Sequence, residues 1–133
     1  MKTVRVVNTT RGREVGSRVG MADTRWGRLR GLIGRPRLEE GEGLLLCPCK
    51  AIHMYGVRYP IDVAFLDGGG AVVALYREIA PGARSRWHDR ARCALELPSG
   101  TLAASGTEVG DVLQWTATGP GQRANGRARV VAA

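Results

Sequence analysis

The feature that most constrains the fold is a pair of apolar runs joined by a glycine-rich turn. In the first run, residues 61–66, apolar side chains recur at every second position. The turn is Asp-Gly-Gly-Gly at 67–70, and a second apolar run covers 71–76. Two short alternating runs around such a turn are typical of antiparallel strands. The sequence therefore predicts a β-hairpin over residues 61–76.

Other segments also have the character of strands. Alternation of apolar and polar side chains, or a short apolar run that ends at a turn signal, predicts a strand in each. These segments lie around Val4 and Val6, at 43–47, from Arg92 to Leu97 and at 112–116. Residues 8–20 are polar and rich in glycine, so we expect a loop there. We also expect a basic loop at 81–90 and a turn or short helix at 99–105.

One amphipathic helix is predicted near the N-terminus, over residues 23–33. Trp26, Leu29 and Ile33 recur with the spacing of one helical face. Gly34 follows them, where a helix commonly ends in a left-handed residue. We therefore expect Trp26 to pack into the core.

These elements define an α+β fold class. We predict a small, mainly antiparallel, β-barrel-like domain with that one helix. A chain of 133 residues has the usual length of one domain, and we assign it to residues 1–117. Residues 118–133 are mostly Gly, Arg and Ala, which bury little apolar surface, so a flexible tail is expected there.

Charge and apolar runs limit the possible location and partners. No apolar run follows the first basic residues, and none is long enough for a membrane helix. We therefore predict a cytoplasmic protein with no membrane partner. The formal net charge is +8, yet residues 43–83 carry three basic and three acidic groups. The charge is spread rather than concentrated, which disfavours a dedicated polyanion site. We expect a monomer or weak dimer.

The three cysteines are interpreted as reduced. An odd count argues against a disulfide framework, and Cys47 and Cys49 are too close to bridge without strain. Cys47 and Cys93 are expected to face the core as small hydrophobic residues. A metal site using Cys49, His53 or His88 would lack paired Cys-x-x-Cys ligands, so no metal or cofactor is predicted. A nucleophilic Cys49–His53 pair is a further alternative.

Three sequence blocks carry a family resemblance. They are RLRGLIGR at 28–35, HMYGVRYPIDVAFLD at 53–67, and LELPSG at 95–100 followed by GD at 110–111. In order and spacing the chain resembles the domain of unknown function 192 family over roughly residues 20–116. The resemblance implies a compact β-rich domain and brings no reaction, ligand or catalytic residue with it.

The second block supplies the candidate site. His53 and Asp62 flank a loop that enters the hairpin, and we expect a shallow polar groove around residues 49–62. The candidate ligand-binding residues are His53, Asp62, Cys49, Met54 and Arg58. Because Pro60 has no N–H group, we expect Asp62 to accept backbone N–H groups from the preceding loop. Asp62 would then be structural, with His53 beside it in a partly exposed groove.

Three functions remain open at this point. The leading one is a binding or interaction module for a small ligand or a protein partner. The second is a small acid–base enzyme that uses His53 and Asp62. The third is weak, nonspecific binding of nucleic acid or an acidic partner through arginines of the predicted helix. The aromatic residues are not interleaved with those arginines, as base stacking would require, which disfavours nucleic acid.

Overall fold

The computed structural model describes residues 2–22 and 32–118. Within them the chain forms seven strands and one short helix. The elements are β1 (Thr3–Asn8), β2 (Arg13–Ala22), β3 (Glu42–Leu46), β4 (Ile61–Leu66), β5 (Val72–Ile79), β6 (Cys93–Pro98), α1 (Thr101–Ser105) and β7 (Leu113–Ala117). No helix in this described part is long and apolar enough to cross a bilayer.

All seven strands belong to one sheet, in the order β5-β4-β6-β3-β2-β1-β7. The β2–β3 pair is parallel, and the other neighbouring pairs are antiparallel. The first and last strands of this order approach each other at one end, where Ala71 pairs with Val112. The sheet is therefore a half-barrel, as the sequence predicts in outline, although it has seven strands rather than six.

Both faces of the central strands are buried. The face that we call the inner core includes α1 and residues from every strand, among them Val6, Val19, Leu45, Leu95, Leu102 and Trp115. The face that we call the outer core is covered by the segments before and after β3. Its members include Leu32, Leu44, Met54, Tyr59, Ile61, Val63, Phe65 and Ala94. Because successive residues of a strand point to opposite faces, each central strand contributes to both cores.

The predicted hairpin is confirmed as β4 and β5. The carboxylate of Asp67 accepts the backbone N–H groups of Gly69 and Ala71 and so organises the turn. Gly70 adopts a φ of 85°, which side chains with a Cβ rarely tolerate. The predicted strands near Val4, at 43–47, at 92–97 and at 112–116 are also present, as β1, β3, β6 and β7.

The predicted loop at 8–20 is wrong over most of its length, because β2 begins at Arg13. Val15, Val19 and Met21 are buried, but their neighbours Gly16 and Ala22 are buried as well, so burial along β2 does not alternate strictly. The cause is a set of register shifts in the β1–β2 pairing, which β-bulges produce. Gly16 is needed there for space, since a Cβ would lie 2.7 Å from Val19 Cγ2.

The predicted N-terminal helix lies mostly outside the described residues, as does Trp26. Its last two residues are described: Leu32 is buried, Ile33 is partly exposed, and both belong to a turn. The helix that the described chain does contain is α1, inside the segment predicted as a turn or short helix. The tail from residue 119 onward is likewise outside the described range.

The prediction of three reduced cysteines is wrong for two of them. Cys47 and Cys93 face the inner core as expected, but they are joined in a disulfide. They follow the β3–β6 register, in which Leu46 pairs with Ala94, so the next pair along the two chains is Cys47 with Cys93. The odd count misled because it says nothing about whether two of the three cysteines can pair.

Candidate functional site

Asp62 is a fully buried structural carboxylate. Its Oδ1 accepts the N–H of Glu78 at 2.9 Å, and its Oδ2 accepts the N–H of Leu102 at 2.9 Å. Glu78 has a φ of 51° and lies where the β4–β5 register shifts. Asp62 therefore ties a bulge of β5 to the first turn of α1. These donors differ from the preceding loop that the sequence suggested, because β4 turns this side chain toward α1.

His53 lies on the other side of the sheet. Its neighbours Ile52 and Met54 pack in the outer core, whereas Asp62 alternates with Ile61 and points to the inner face. The His53 side chain is exposed, and its backbone pairs with Arg84. The structure therefore does not bring His53 and Asp62 into a common pocket.

The remaining candidate residues do not face a common site either. Met54 is fully buried, and its backbone N–H and C=O bond to the 81–85 loop. Arg58 is exposed. Cys49 is half-buried, and its thiol donates to the carbonyl of Ala51 at 3.1 Å. The loop from 49 to 60 is thus fastened over the outer core instead of forming a convergent polar site.

A polar group that sequence reasoning missed lies beneath this loop. Glu96 is 5% exposed, and its Oε1 has no hydrogen-bond partner among the described residues. It sits in the centre of the sheet, paired with Leu44 on one side and Val63 on the other. Burial raises the pKa of this carboxyl to about 7, while Arg35 acts in the opposite direction. A buried carboxyl without a partner is costly and commonly marks a functional position.

Glu96 lies in the third sequence block, between Leu95 and Leu97. Alternation in this segment predicts a strand with one solvated face, which would leave the carboxyl in water. Both faces of β6 are in fact buried, because the segments on either side of β3 cover the outer core. A sequence alone does not show that these segments bury the outer face of β6.

A small groove opens on the outer face close to Glu96. Its volume is about 140 Å³. Its floor includes the β4–β6 pair Ile61 and Pro98, and the next residue pair with side chains on that face is Val63 and Glu96. The loop and the segment before β3 form its walls. The lining residues are Arg37, Leu38, Tyr59, Pro60, Ile61, Pro98 and Ser99.

Tyr59 lines the groove and also interacts electrostatically with Glu96. Its hydroxyl donates to the carbonyl of Pro36 at 3.1 Å, and the Arg37 guanidinium lies 5.8 Å from its ring centroid. Burial raises the pKa of Tyr59, with a smaller contribution from the nearby charge of Glu96, while Arg35 and Arg37 oppose the shift. The Tyr59 hydroxyl is therefore neutral at physiological pH.

The second histidine, His88, packs against aromatic side chains and hydrogen-bonds with one of them. His88 Nε2 lies 2.6 Å from the Tyr76 hydroxyl, which also accepts the backbone N–H of Arg86. The ring packs against Phe65 with centroids 4.6 Å apart. Burial lowers the pKa of His88, and Arg86 adds to the effect. Among residues 2–22 and 32–118, no group of three or more His, Cys, Asp or Glu residues is placed to hold a metal.

Two larger depressions flank α1, with volumes of about 460 and 210 Å³. Two of their arginines are already engaged within the protein. Arg11 pairs with Asp111 at 2.7 Å and, with Asn8, holds the pKa of that carboxyl well below its usual range. Arg13 donates to the carbonyl of Ala104. Size alone does not make these depressions sites, so we place the candidate site at the smaller groove.

The fold and this groove define a class of protein, a small β half-barrel with a polar groove on its outer face. Comparison with known families identifies the member of that class. The profile of the DUF192 family, described as "Uncharacterized ACR", matches residues 6–115. The chain belongs to this family, as its three sequence blocks indicated.

Individual relatives agree with that assignment. The chain is 32% identical over 115 residues to a UPF0127 protein of Thermococcus sibiricus, covering 83% of this chain and 73% of that protein. A solved structure of a protein of unknown function from Novosphingobium aromaticivorans has a TM-score of 0.72 at 23% identity, covering 85% of this chain and 84% of that chain. A putative transcription regulator from Sinorhizobium meliloti has a TM-score of 0.71 at 24% identity, covering 86% and 92%. These two likenesses concern the fold.

Proposed function

We propose that the protein is a small binding module that takes the anionic end of a small ligand in the groove beside Tyr59. The observation that carries the proposal is the exposed guanidinium of Arg37 at the edge of this groove. In the described part of the chain Arg37 forms no salt bridge. Guanidinium groups recognise carboxylates and phosphates through directed hydrogen bonds.

The size of the groove limits the ligand. Its volume of about 140 Å³ is below the roughly 300 Å³ at which sites for drug-sized molecules begin. Its floor is apolar, at Ile61 and Pro98. The groove therefore suits a compact group of a few heavy atoms, with its charge toward Arg37 and its apolar part on the floor.

The test is an NMR titration of the ¹⁵N-labelled protein with sodium propionate. We expect shift changes at the amides of Tyr59, Ile61 and Ser99, with a Kd of about 1–10 mM, as befits so few ligand atoms. Arg37→Gln should weaken binding at least fivefold. Arg90→Gln, which removes an exposed arginine outside the groove, is the matched control and should bind like the parent protein.

Two further variants test the groove around residues 49–62 that the sequence suggested. His53→Ala and Arg58→Gln remove exposed side chains of the loop. If either variant abolishes the propionate shifts and Arg37→Gln does not, the ligand lies on the loop surface and our placement is wrong. If propionate causes no localised shifts at all, the proposed function is wrong.

The other functional alternatives lack a supporting observation. Acid–base catalysis by His53 and Asp62 would need the two side chains to converge, and they lie on opposite sides of the sheet. The arginines proposed to contact nucleic acid are mainly in the predicted helix, outside the described residues. Weak, salt-sensitive nucleic acid binding stays a prediction, and discrimination of one sequence at physiological salt would contradict it.

Location and assembly also stay proposals. We propose a cytoplasmic monomer or weak dimer. The Cys47–Cys93 disulfide bears on this, because disulfides persist mainly in oxidising compartments. Alkylation of the cysteines in intact cells, followed by mass spectrometry, measures their state. Complete alkylation supports the cytoplasm, and a fully protected pair would place the protein in an oxidising compartment.

A further inference from the structure

We propose that the inner end of the groove recognises an amide, so that the ligand is a small carboxylate that also carries an amide group. Glu96 would bind the amide, and Arg37 would bind the carboxylate. This inference rests on the proposed function, since it extends the same groove inward. It gives a binding role to Glu96, to which neither its sequence block nor the family assignment attaches one.

The first argument is the unsatisfied Oε1 of Glu96. A buried polar atom without a partner costs about 1–3 kcal/mol relative to a bonded one. The cost is relieved when a ligand supplies the missing group. Glu96 is 5% exposed, and it belongs to the residue pair next to the groove floor on the same face of the sheet.

The second argument is the position of Glu96 relative to that groove. It is two residues before Pro98 on the same face of β6, a distance of about 7 Å along a strand. Tyr59 lines the groove and also interacts with the charge of Glu96. It is therefore the groove-lining residue whose surroundings include Glu96.

The third argument is the chemistry of a carboxyl in apolar surroundings. The strand neighbours of Glu96 are Leu44 and Val63. A buried ion pair there would pay a large desolvation cost. A protonated carboxyl instead offers one O–H donor and one C=O acceptor. A neutral amide offers the complementary N–H and C=O, so the two groups form two hydrogen bonds without burying a charge.

The charged groups around Glu96 set how this recognition depends on pH. Among the described residues, Arg35 and Tyr59 face it from the segments that cover the outer core. Burial raises the pKa of Tyr59, so its hydroxyl stays neutral throughout pH 6–8. Glu96 is then the group that titrates, and its protonated form, the binding form, predominates below about pH 7. Amide affinity should therefore fall as the pH rises through 7.

The experiment compares three probes by the same NMR titration. Propionate carries only the carboxylate, propionamide only the amide, and N-acetylglycine both. In the parent protein at pH 6 we expect N-acetylglycine to bind about tenfold tighter than propionate, the gain of roughly one well-made hydrogen bond. Between pH 6 and pH 8 that affinity should fall about tenfold, since one pH unit above the pKa leaves about a tenth of the carboxyl protonated.

Two variants of Glu96 isolate its role. Glu96→Leu removes both hydrogen-bonding atoms and should reduce N-acetylglycine binding to the level of propionate. Glu96→Gln keeps a neutral donor and acceptor, so it should retain the tight binding and lose the dependence on pH. Propionate binding should be unchanged in both variants, and their spectra should match that of the parent, which shows that the fold is kept.

The outcomes separate this inference from the proposed function. If propionate binds at the groove but N-acetylglycine binds no tighter, the amide proposal is wrong and the anion site stands. The amide proposal is also wrong if Glu96→Leu keeps the tight binding. If Glu96→Gln loses it as completely as Glu96→Leu, the carboxylate binds a cationic group and the ligand class is wrong.

Discussion

At the scale of single residues, two acidic side chains in the same sheet have opposite roles. Asp62 has both carboxylate oxygens occupied by backbone N–H groups, at Glu78 and Leu102. Glu96 is similarly buried, but its Oε1 has no hydrogen-bond partner in the part of the chain that the structure describes. Asp62 and Glu96 are on adjacent strands, β4 and β6, and face opposite sides. Burial alone therefore does not tell a structural carboxyl from a candidate binding group, whereas its hydrogen-bond partners do.

We predict that Asp62→Asn destabilises the protein by about 2–3 kcal/mol. The amide keeps one acceptor oxygen but places an NH₂ group opposite a backbone N–H, so one buried donor loses its partner. Urea denaturation followed by circular dichroism measures the change in the free energy of unfolding. Asp89→Asn, at an exposed position, is the control and should differ little from the parent. Equal stability of Asp62→Asn and the parent would contradict the structural role.

At the scale of elements, one glycine of the turn between β4 and β5 also packs against β7. Gly70 lies beside β7, where its C=O accepts the N–H of Leu113. A Cβ built on Gly70 would lie 2.3 Å from the Leu113 carbonyl oxygen. Gly68, in the same turn, has open space around it. The turn therefore connects β4 with β5 and also packs the hairpin against β7.

We predict that Gly70→Ala costs at least about 2 kcal/mol of unfolding free energy. The new Cβ would meet backbone that cannot rotate away, and the residue would keep a positive φ. Gly68→Ala is the matched control and should stay within about 0.5 kcal/mol of the parent. Thermal and urea denaturation of both variants give the comparison. Similar losses in both would mean that β7 does not approach the turn as described.

The strands and the hairpin were predictable because short-range alternation and turn residues determine them. β2 was not predictable, because two bulges disturb its alternation of buried and exposed residues. A glycine also stands where the close packing leaves no room for a side chain. Asp62 could be recognised as structural from the proline before it, although its actual donors are distant in sequence. Glu96 could not be singled out, since its burial depends on the segments on either side of β3, which cover the outer core. The disulfide was missed because it depends on the β3–β6 register.

At the scale of the whole molecule, one covalent link joins the two strands at the centre of the sheet. The disulfide connects residues 46 apart in sequence. Its ends lie just beyond the β3–β6 ladder, on the inner face. A link across that separation restricts the unfolded chain far more than the folded one, in which the strands are already paired.

We predict that the double variant Cys47→Ala, Cys93→Ala is less stable than the oxidised parent by about 2–4 kcal/mol. Denaturation with and without a reducing agent measures the difference, and the reductant should affect only the parent. Cys49→Ala is the control, because it leaves the bridge intact. A parent protein whose denaturation midpoint does not change on reduction would show that the disulfide contributes nothing to stability.

The pairing of β1 with β7 has a consequence for how the chain is made. Val4 pairs with Ala117 and Val6 with Trp115, so β1 is synthesised well before the strand that covers its edge. Until residue 117 has emerged from the ribosome, β1 has an open edge and the inner core lacks Trp115. Nascent chains that stop before β7 therefore expose an unpaired strand, the feature that makes folding intermediates prone to aggregate. The sheet can close only after β7 has been synthesised.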